Sequence, residues 1–213
     1  MNPLLSSSSP AMEVIRADRA LTVVRAPSIP DPAALAAALA GAGLRAVELT
    51  FTTLGVLDAI SKAGTVTDAV IGVGTVTTRA QAEAAIEVGA QFLVTPALRP
   101  EVAEVAVAHT IPVIMGAFTP SEVLAAAEMG AAAVKIFPAR ALGPQYLKDL
   151  LGPFPNMFLI PSGGVNSHNA RDFLRAGAIA VTAGTEVVAP LDVETARWSH
   201  IGSKAAHFVH SLD

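Results

Sequence analysis

Cysteine is absent from the sequence, which excludes disulfide bonds and thiolate metal sites and fits a reducing compartment. Charge is scarce as well. Charged residues make up 15% of the 213 positions and the formal net charge is -4, so the chain offers no basic field for nucleic acid. Although 52% of residues are hydrophobic, no uninterrupted apolar run reaches the roughly 18 residues of a membrane span. Residues 1–10 lack a basic n-region and carry too short an apolar block for a signal peptide, so they read as a flexible leader. Residues 11–213 then fit one domain with a sizeable core. These features predict a cytoplasmic protein with neither nucleic-acid nor membrane partners.

Lysine is scarce too, and one lysine is misplaced. Of the four lysines at positions 62, 135, 148 and 204, only Lys135 lies in an apolar, strand-like run, Ala131-Ala-Ala-Val-Lys-Ile-Phe-Pro138. Burying an ammonium is costly, so a lysine in such a run is commonly kept for its amine, a nucleophile towards carbonyls. The competing reading is a lysine that snorkels outward or pairs with a buried carboxylate.

Short β-rich runs alternate with Ala-rich helical segments along the whole chain. Strands are predicted at Leu21–Ala26, Ala46–Phe51, Ala69–Val76, Phe92–Ala97, Ile111–Phe118, Ala133–Pro138, Met157–Gly164 and Ala178–Thr185, starting about 19 to 25 residues apart. Helix boundaries recur between them. Asp31-Pro32 precedes Ala33–Ala42, Thr78 precedes Arg79–Val88, Thr119-Pro120 precedes Ser121–Met129, and Asn166 or Ser167 opens Asn169–Ala176. A glycine follows each helix, at positions 43, 89, 130 and 177. Eight such units predict an α/β TIM (β/α)8 barrel, with Met12–Ala20 as an extra N-terminal helix closing the floor. A doubly wound open sheet is the alternative, but no Gly-x-Gly-x-x-Gly follows the first strand.

In a barrel of this kind the chemistry sits at the C-terminal strand ends. Alternation places Lys135 and Phe137 on one face of the sixth strand, and Glu48, Thr50 and Thr52 on one face of the second. The opposite faces are apolar and belong against helices, so Lys135 and Glu48 are predicted to point into the barrel, with Arg25 near the end of the first strand as a third inward charge. A purely structural ion-pair network is the competing reading. Ser162-Gly163-Gly164 ends the seventh strand and Gly184-Thr185 the eighth. Glycines there let backbone N–H groups approach an anion, at the usual phosphate position of the fold. Taken singly, each could merely be a tight turn. No cluster of His and carboxylates has ligand spacing, and His200, His207 and His210 read as a solvated helix face, so no metal site is predicted.

Val47-Glu-Leu-Thr50, Ile71-Gly-Val-Gly-Thr-Val76, Gly89-Ala-Gln-Phe-Leu-Val-Thr-Pro96, Val134-Lys-Ile-Phe-Pro138, Gly152-Pro-Phe-Pro155 and Pro161-Ser-Gly-Gly-Val165 stand in register over roughly residues 13 to 212. With these motifs the chain resembles the class I 2-keto-3-deoxy-6-phosphogluconate (KDPG) and 4-hydroxy-2-oxoglutarate (KHG) aldolase family. The resemblance implies a Schiff base on Lys135, no metal or organic cofactor, and Glu48 as general acid/base. It further implies a substrate pocket lined by Thr75, Pro96 and Phe137, to which the inward-facing Thr50 is added. Phosphate would be held by Ser162, Gly163, Gly164, Gly184 and Thr185. The substrate would be a keto-acid phosphate and the assembly a homotrimer. Two positions depart from the pattern. Thr52 stands where many members carry an Arg that contacts the substrate carboxylate, and Arg25 is the expected replacement. Ser162 stands where many carry Thr, which keeps the hydroxyl. The expected reaction is reversible cleavage of KDPG to pyruvate and glyceraldehyde 3-phosphate. The alternatives are cleavage of a related 2-keto acid (KHG or the 6-phosphogalactonate homologue), a metal-dependent sugar-phosphate epimerase, and a non-catalytic trimeric scaffold.

Overall fold

The computed structural model describes residues 9–213. Residues 1–8 of the expected leader lie outside them. Its last two positions start the first helix, α1 (Pro10–Asp18), where the Ser9 hydroxyl accepts the Met12 N–H at 3.3 Å. That helix begins two residues ahead of the expected Met12 because Ser-Pro supplies an N-cap and an N1 proline.

Eight parallel strands follow: β1 (Ala20–Val24), β2 (Ala46–Thr50), β3 (Val70–Gly74), β4 (Leu93–Val94), β5 (Val113–Ala117), β6 (Ala133–Ile136), β7 (Leu159–Pro161) and β8 (Val181–Ala183). They pair in sequence order from β1 to β7, and β8 pairs with β1. Between β7 and β8, Ile179 N–H donates to the Leu159 carbonyl at 3.1 Å and the Thr182 hydroxyl donates to the Pro161 carbonyl at 3.1 Å. The sheet thereby curls into the TIM barrel expected from the sequence. Each strand is shorter than its apolar run, in the largest proportion for β4, where the expected six residues Phe92–Ala97 reduce to Leu93–Val94. Tilted strands in a small barrel share ladder bonds only in their middles, and the remainder of each run turns towards the next loop.

The connecting helices are α2 (Pro32–Gly41), α3 (Val56–Ala63), α4 (Arg79–Glu87), α5 (Pro100–Ala108), α6 (Pro120–Glu128), α7 (Gly143–Leu151), α8 (Ala170–Arg175), α9 (Pro190–Glu194) and α10 (Trp198–His210). The starts of α2, α4 and α6 follow the expected caps Asp31, Thr78 and Thr119. Helix α8 begins at Ala170 after Asn169, because Ser167–Asn169 form a turn ahead of it instead of the first helical residues. Asp31 accepts from Ala34 N–H at 2.9 Å, and Thr119 and Glu122 form a reciprocal capping box. After α4 and α8 the chain reverses through Gly89 and Gly177, at φ +97° and +103°, a conformation that penalises a side chain.

Two apolar layers result. The outer one packs strand residues such as Val47, Leu49, Val134 and Ile136 against the helices. The inner one fills the lower barrel with Leu21, Phe92, Val94, Ile114 and Ile160, and Met12 and Ile15 of α1 pack against them. Helix α1 thus plugs the floor, with Arg16 stacked on Phe158 there, and the upper end of the barrel is left for Glu48 and Lys135.

Candidate active site

Between the outward-facing pairs Val47/Leu49 and Val134/Ile136, strand alternation turns Glu48 and Lys135 into the barrel. Both are buried, Glu48 completely, and Lys135 Nζ stands 3.8 Å from Glu48 Oε1. Glycines make the room. Register sets Gly72 beside Glu48 and Gly116 beside Lys135. A Cβ on Gly74 would lie 1.7 Å from Glu48 Oε1, and one on Gly72 would lie 2.5 Å from the Phe92 ring.

Neither carboxylate oxygen of Glu48 has a hydrogen-bond partner among the described residues. Burial raises its pKa above the ordinary carboxylate value, and the nearby charges of Lys135 and then Arg25 offset part of that rise. An acid held in this way keeps its proton to higher pH than an ordinary carboxyl does, the kind of shift that suits a group exchanging protons. Lys135 is an amine screened from bulk water, facing that carboxyl.

Arg25 extends from the end of β1 and donates to the Thr52 hydroxyl at 3.0 Å and the Thr75 hydroxyl at 3.1 Å. Thr52 in turn lies 2.8 Å from the Thr50 hydroxyl. Thr75 adopts φ +60°, a left-handed conformation that is strained for a β-branched residue and places its hydroxyl on the guanidinium. Phe137 sits above the lysine, with Nζ 5.6 Å from its ring centroid, and the residue is 41% exposed at the mouth. The β4 loop crosses close to β5, since a Cβ on Gly116 would lie 2.3 Å from the Pro96 carbonyl carbon. Thr95 pins that crossing and was not singled out from the sequence. Its buried hydroxyl accepts the Gly116 N–H at 3.1 Å and donates to the Ala97 carbonyl at 2.7 Å. The Val94-Thr-Pro96 motif was its only signal.

The two glycine turns come together at the same end of the barrel. Ser162 is buried, its N–H donating to the Ile136 carbonyl at 2.9 Å. Gly163 and Gly164 follow at φ +84° and +90°. Across from them, the Gly184 carbonyl accepts from Val187 and Val188 N–H at 3.0 Å, forming a single helical turn. The N–H groups of Gly163, Gly164 and Thr185 donate to no acceptor among the described residues. Glu186 bridges the turns, accepting from Ser167 N–H at 2.8 Å and from its hydroxyl at 2.6 Å. Phe137 joins this region to the lysine, because a Cβ on Gly163 would lie 3.1 Å from its ring. Among the described residues, no group of three or more His, Asp or Glu could hold a metal ion, and no helix is long and apolar enough to cross a membrane. His200 lies instead 3.6 Å from Asp192, which Arg197 and Lys204 also engage.

The family model for KDPG and KHG aldolases matches residues 11–203. The chain belongs to this family. A 2-dehydro-3-deoxy-phosphogluconate aldolase of Haemophilus influenzae is 34% identical over 193 residues, covering 90% of this chain and 91% of the relative. The KHG/KDPG aldolase of Escherichia coli K12 is 33% identical over 177 residues, or 82% and 83% of the two chains. Among solved structures, the KDPG aldolase of Legionella pneumophila, with pyruvate captured as a covalent carbinolamine, superposes with a TM-score of 0.85 at 30% identity, covering 93% of this chain and 97% of that one.

Against this aldolase framework the departure at Thr52 acquires a structural counterpart. The Thr52 hydroxyl receives the Arg25 guanidinium, so a cation from β1 occupies the neighbourhood of the position where many members carry arginine.

Proposed function

We propose that the chain is a class I aldolase that cleaves KDPG reversibly to pyruvate and glyceraldehyde 3-phosphate, with Lys135 as the Schiff-base residue. The observation that carries this reading is the buried approach of Lys135 Nζ to Glu48 Oε1 at 3.8 Å inside the barrel of an aldolase-family chain.

The amine of Lys135 adds to the C2 ketone to give a carbinolamine, and loss of water leaves an iminium at C2 that can accept the electron pair released at C3. Glu48, as the carboxylate, removes the C4 hydroxyl proton directly or through one water. The C3–C4 bond then breaks, its electron pair enters the iminium to form an enamine, and the aldehyde leaves. Glu48, now protonated, returns the proton to C3, and hydrolysis of the pyruvate imine restores Lys135. One carboxyl serves both proton steps, and its burial-raised pKa suits both directions.

Arg25 holds the C1 carboxylate, its guanidinium already oriented by Thr52 and Thr75. Thr50 supports Thr52, while Pro96 and Phe137 form apolar walls. Ser162, Gly163, Gly164, Gly184 and Thr185 bind the terminal phosphate through unpaired backbone N–H groups and the serine hydroxyl. No metal or organic cofactor takes part. The protein works as a one-domain barrel, as a homotrimer, in the cytoplasm.

Borohydride reduction in the presence of pyruvate, followed by peptide mass mapping, tests the central claim. The expected adduct is on the peptide containing Lys135 and is absent from Lys135→Ala. An adduct at another residue, or none in the wild type, overturns the assignment. Steady-state rates on KDPG, KHG and the C4 epimer then identify the substrate.

A further inference from the structure

We propose that Arg140 is a ligand for the substrate's terminal phosphate, completing with one positive charge a cradle otherwise built from neutral N–H groups. The inference rests on the aldolase reading above.

Arg140 lies just after β6 in the short 3-10 turn Ala139–Ala141. There the chain doubles back onto the turn that follows β7. Ala139 N–H donates to the Ser162 carbonyl at 2.7 Å, and Arg140 N–H donates to the Gly163 carbonyl at 2.8 Å. These bonds hold both carbonyls on the Arg140 side of the turn. The arginine stem then lies on Gly164. A Cβ there would stand 2.4 Å from Arg140 Cβ and 3.5 Å from Arg140 Cγ. Gly164 is therefore a glycine for two reasons, its φ of +90° and the arginine packed against it.

The charge at the end of this stem is uncommitted. Arg19, Arg45, Arg79, Arg99 and Arg197 each engage a carboxylate. The exposed Arg140 guanidinium makes no hydrogen bond or ion pair with any described residue. Its backbone is fixed to the turn whose Gly163 and Gly164 N–H groups also lack acceptors. Across the cradle, the ionisable side chain on the β8 turn is Glu186, committed to Ser167. A dianion entering between these turns meets a carboxylate on one rim, and a cation on the other offsets it. The planar guanidinium fork matches a phosphate with two parallel donors, which makes such contacts stronger than neutral ones.

The test compares wild type, Arg140→Ala and Arg140→Lys on KDPG and on its unphosphorylated analogue, with inorganic phosphate as a competing anion. The expected result for Arg140→Ala is a KM for KDPG raised about 10- to 100-fold with kcat changed far less, the signature of lost ground-state binding. The preference for the phosphorylated substrate falls by the same factor, and competitive inhibition by inorganic phosphate weakens in parallel. Arg140→Lys recovers part of each, which a folding defect would not allow. A KM for KDPG within about twofold of wild type, or an equal loss on both substrates, overturns the proposal. A wild type that traps pyruvate but shows no preference for phosphate overturns the cradle and Arg140 together, leaving the Schiff-base chemistry intact. A wild type that traps no pyruvate overturns the aldolase reading instead. Inorganic phosphate titrated against wild type and Arg140→Ala then still decides the role of Arg140, since equal affinities exclude it.

Discussion

Glu48 stands beside Lys135 because residue 74 is a glycine: any Cβ there would lie 1.7 Å from Glu48 Oε1 and 2.3 Å from its carboxyl carbon. Gly74→Ala must therefore push the carboxyl off its position or distort β3. The expected cost is about 1–3 kcal/mol of stability from overpacking. A kcat reduced about 100-fold is also expected, because a displaced proton-transfer group loses its alignment. Gly41→Ala is the counterpart. Its site on α2 is exposed, with no atom within 4 Å of an added Cβ, so thermal unfolding should show a gain of about 0.4–1 kcal/mol.

Glu48→Gln keeps the shape of the side chain and removes its proton chemistry. Turnover should fall about 10²- to 10⁴-fold. The wild-type rate of the cleavage direction should rise with pH through the raised pKa of Glu48, as the carboxylate forms, and the Gln variant should lack that limb.

The same pKa has a consequence for stability. A carboxyl with a raised folded-state pKa binds its proton more tightly when folded than when unfolded. Its contribution is complete below the ordinary carboxylate range and is lost as pH rises through the raised value. Chemical denaturation across that window should show wild type losing stability with increasing pH more steeply than Glu48→Gln. Equal slopes would mean that Glu48 titrates as an ordinary surface carboxyl.

Lys135→Ala should abolish both cleavage and borohydride-trapped pyruvate. Because the Lys135 charge is the larger of the two influences lowering the Glu48 pKa, the variant should also move the titration of Glu48 further upward, which carboxyl infrared difference spectra can follow.

Arg25→Ala removes the cation shared by Thr52 and Thr75. The KM for 2-keto acids should rise about 10- to 100-fold, the worth of a charge-assisted hydrogen bond to a carboxylate. Unlike Arg140→Ala, this variant should also weaken pyruvate trapping at limiting pyruvate, since the C1 carboxylate is present in every substrate. A KM unchanged for pyruvate would remove Arg25 from the carboxylate site.

Much of this was legible in the residue order. A charge inside an apolar, alternating strand has few tolerable places, so Lys135 and Glu48 could be placed in the barrel from pattern alone, and the capped helices between apolar runs predicted parallel units. The strand ends were not legible. Phe92–Ala97 reads as one largely apolar run, yet its ladder stops at Val94, where Thr95 turns to hold Gly116 and Pro96 has no N–H to donate. Nor did the order of residues reveal the partners of Arg25, the pinning of Gly116 by Thr95, or Arg140 lying on Gly164. Each of these joins side chains and loops from different strands, many residues apart in the chain. Periodicity reports which face of an element a residue occupies, a local property of backbone geometry. Which loops meet above that face depends on closure of the whole barrel, and closure alone brought the turns after β6, β7 and β8 to one rim.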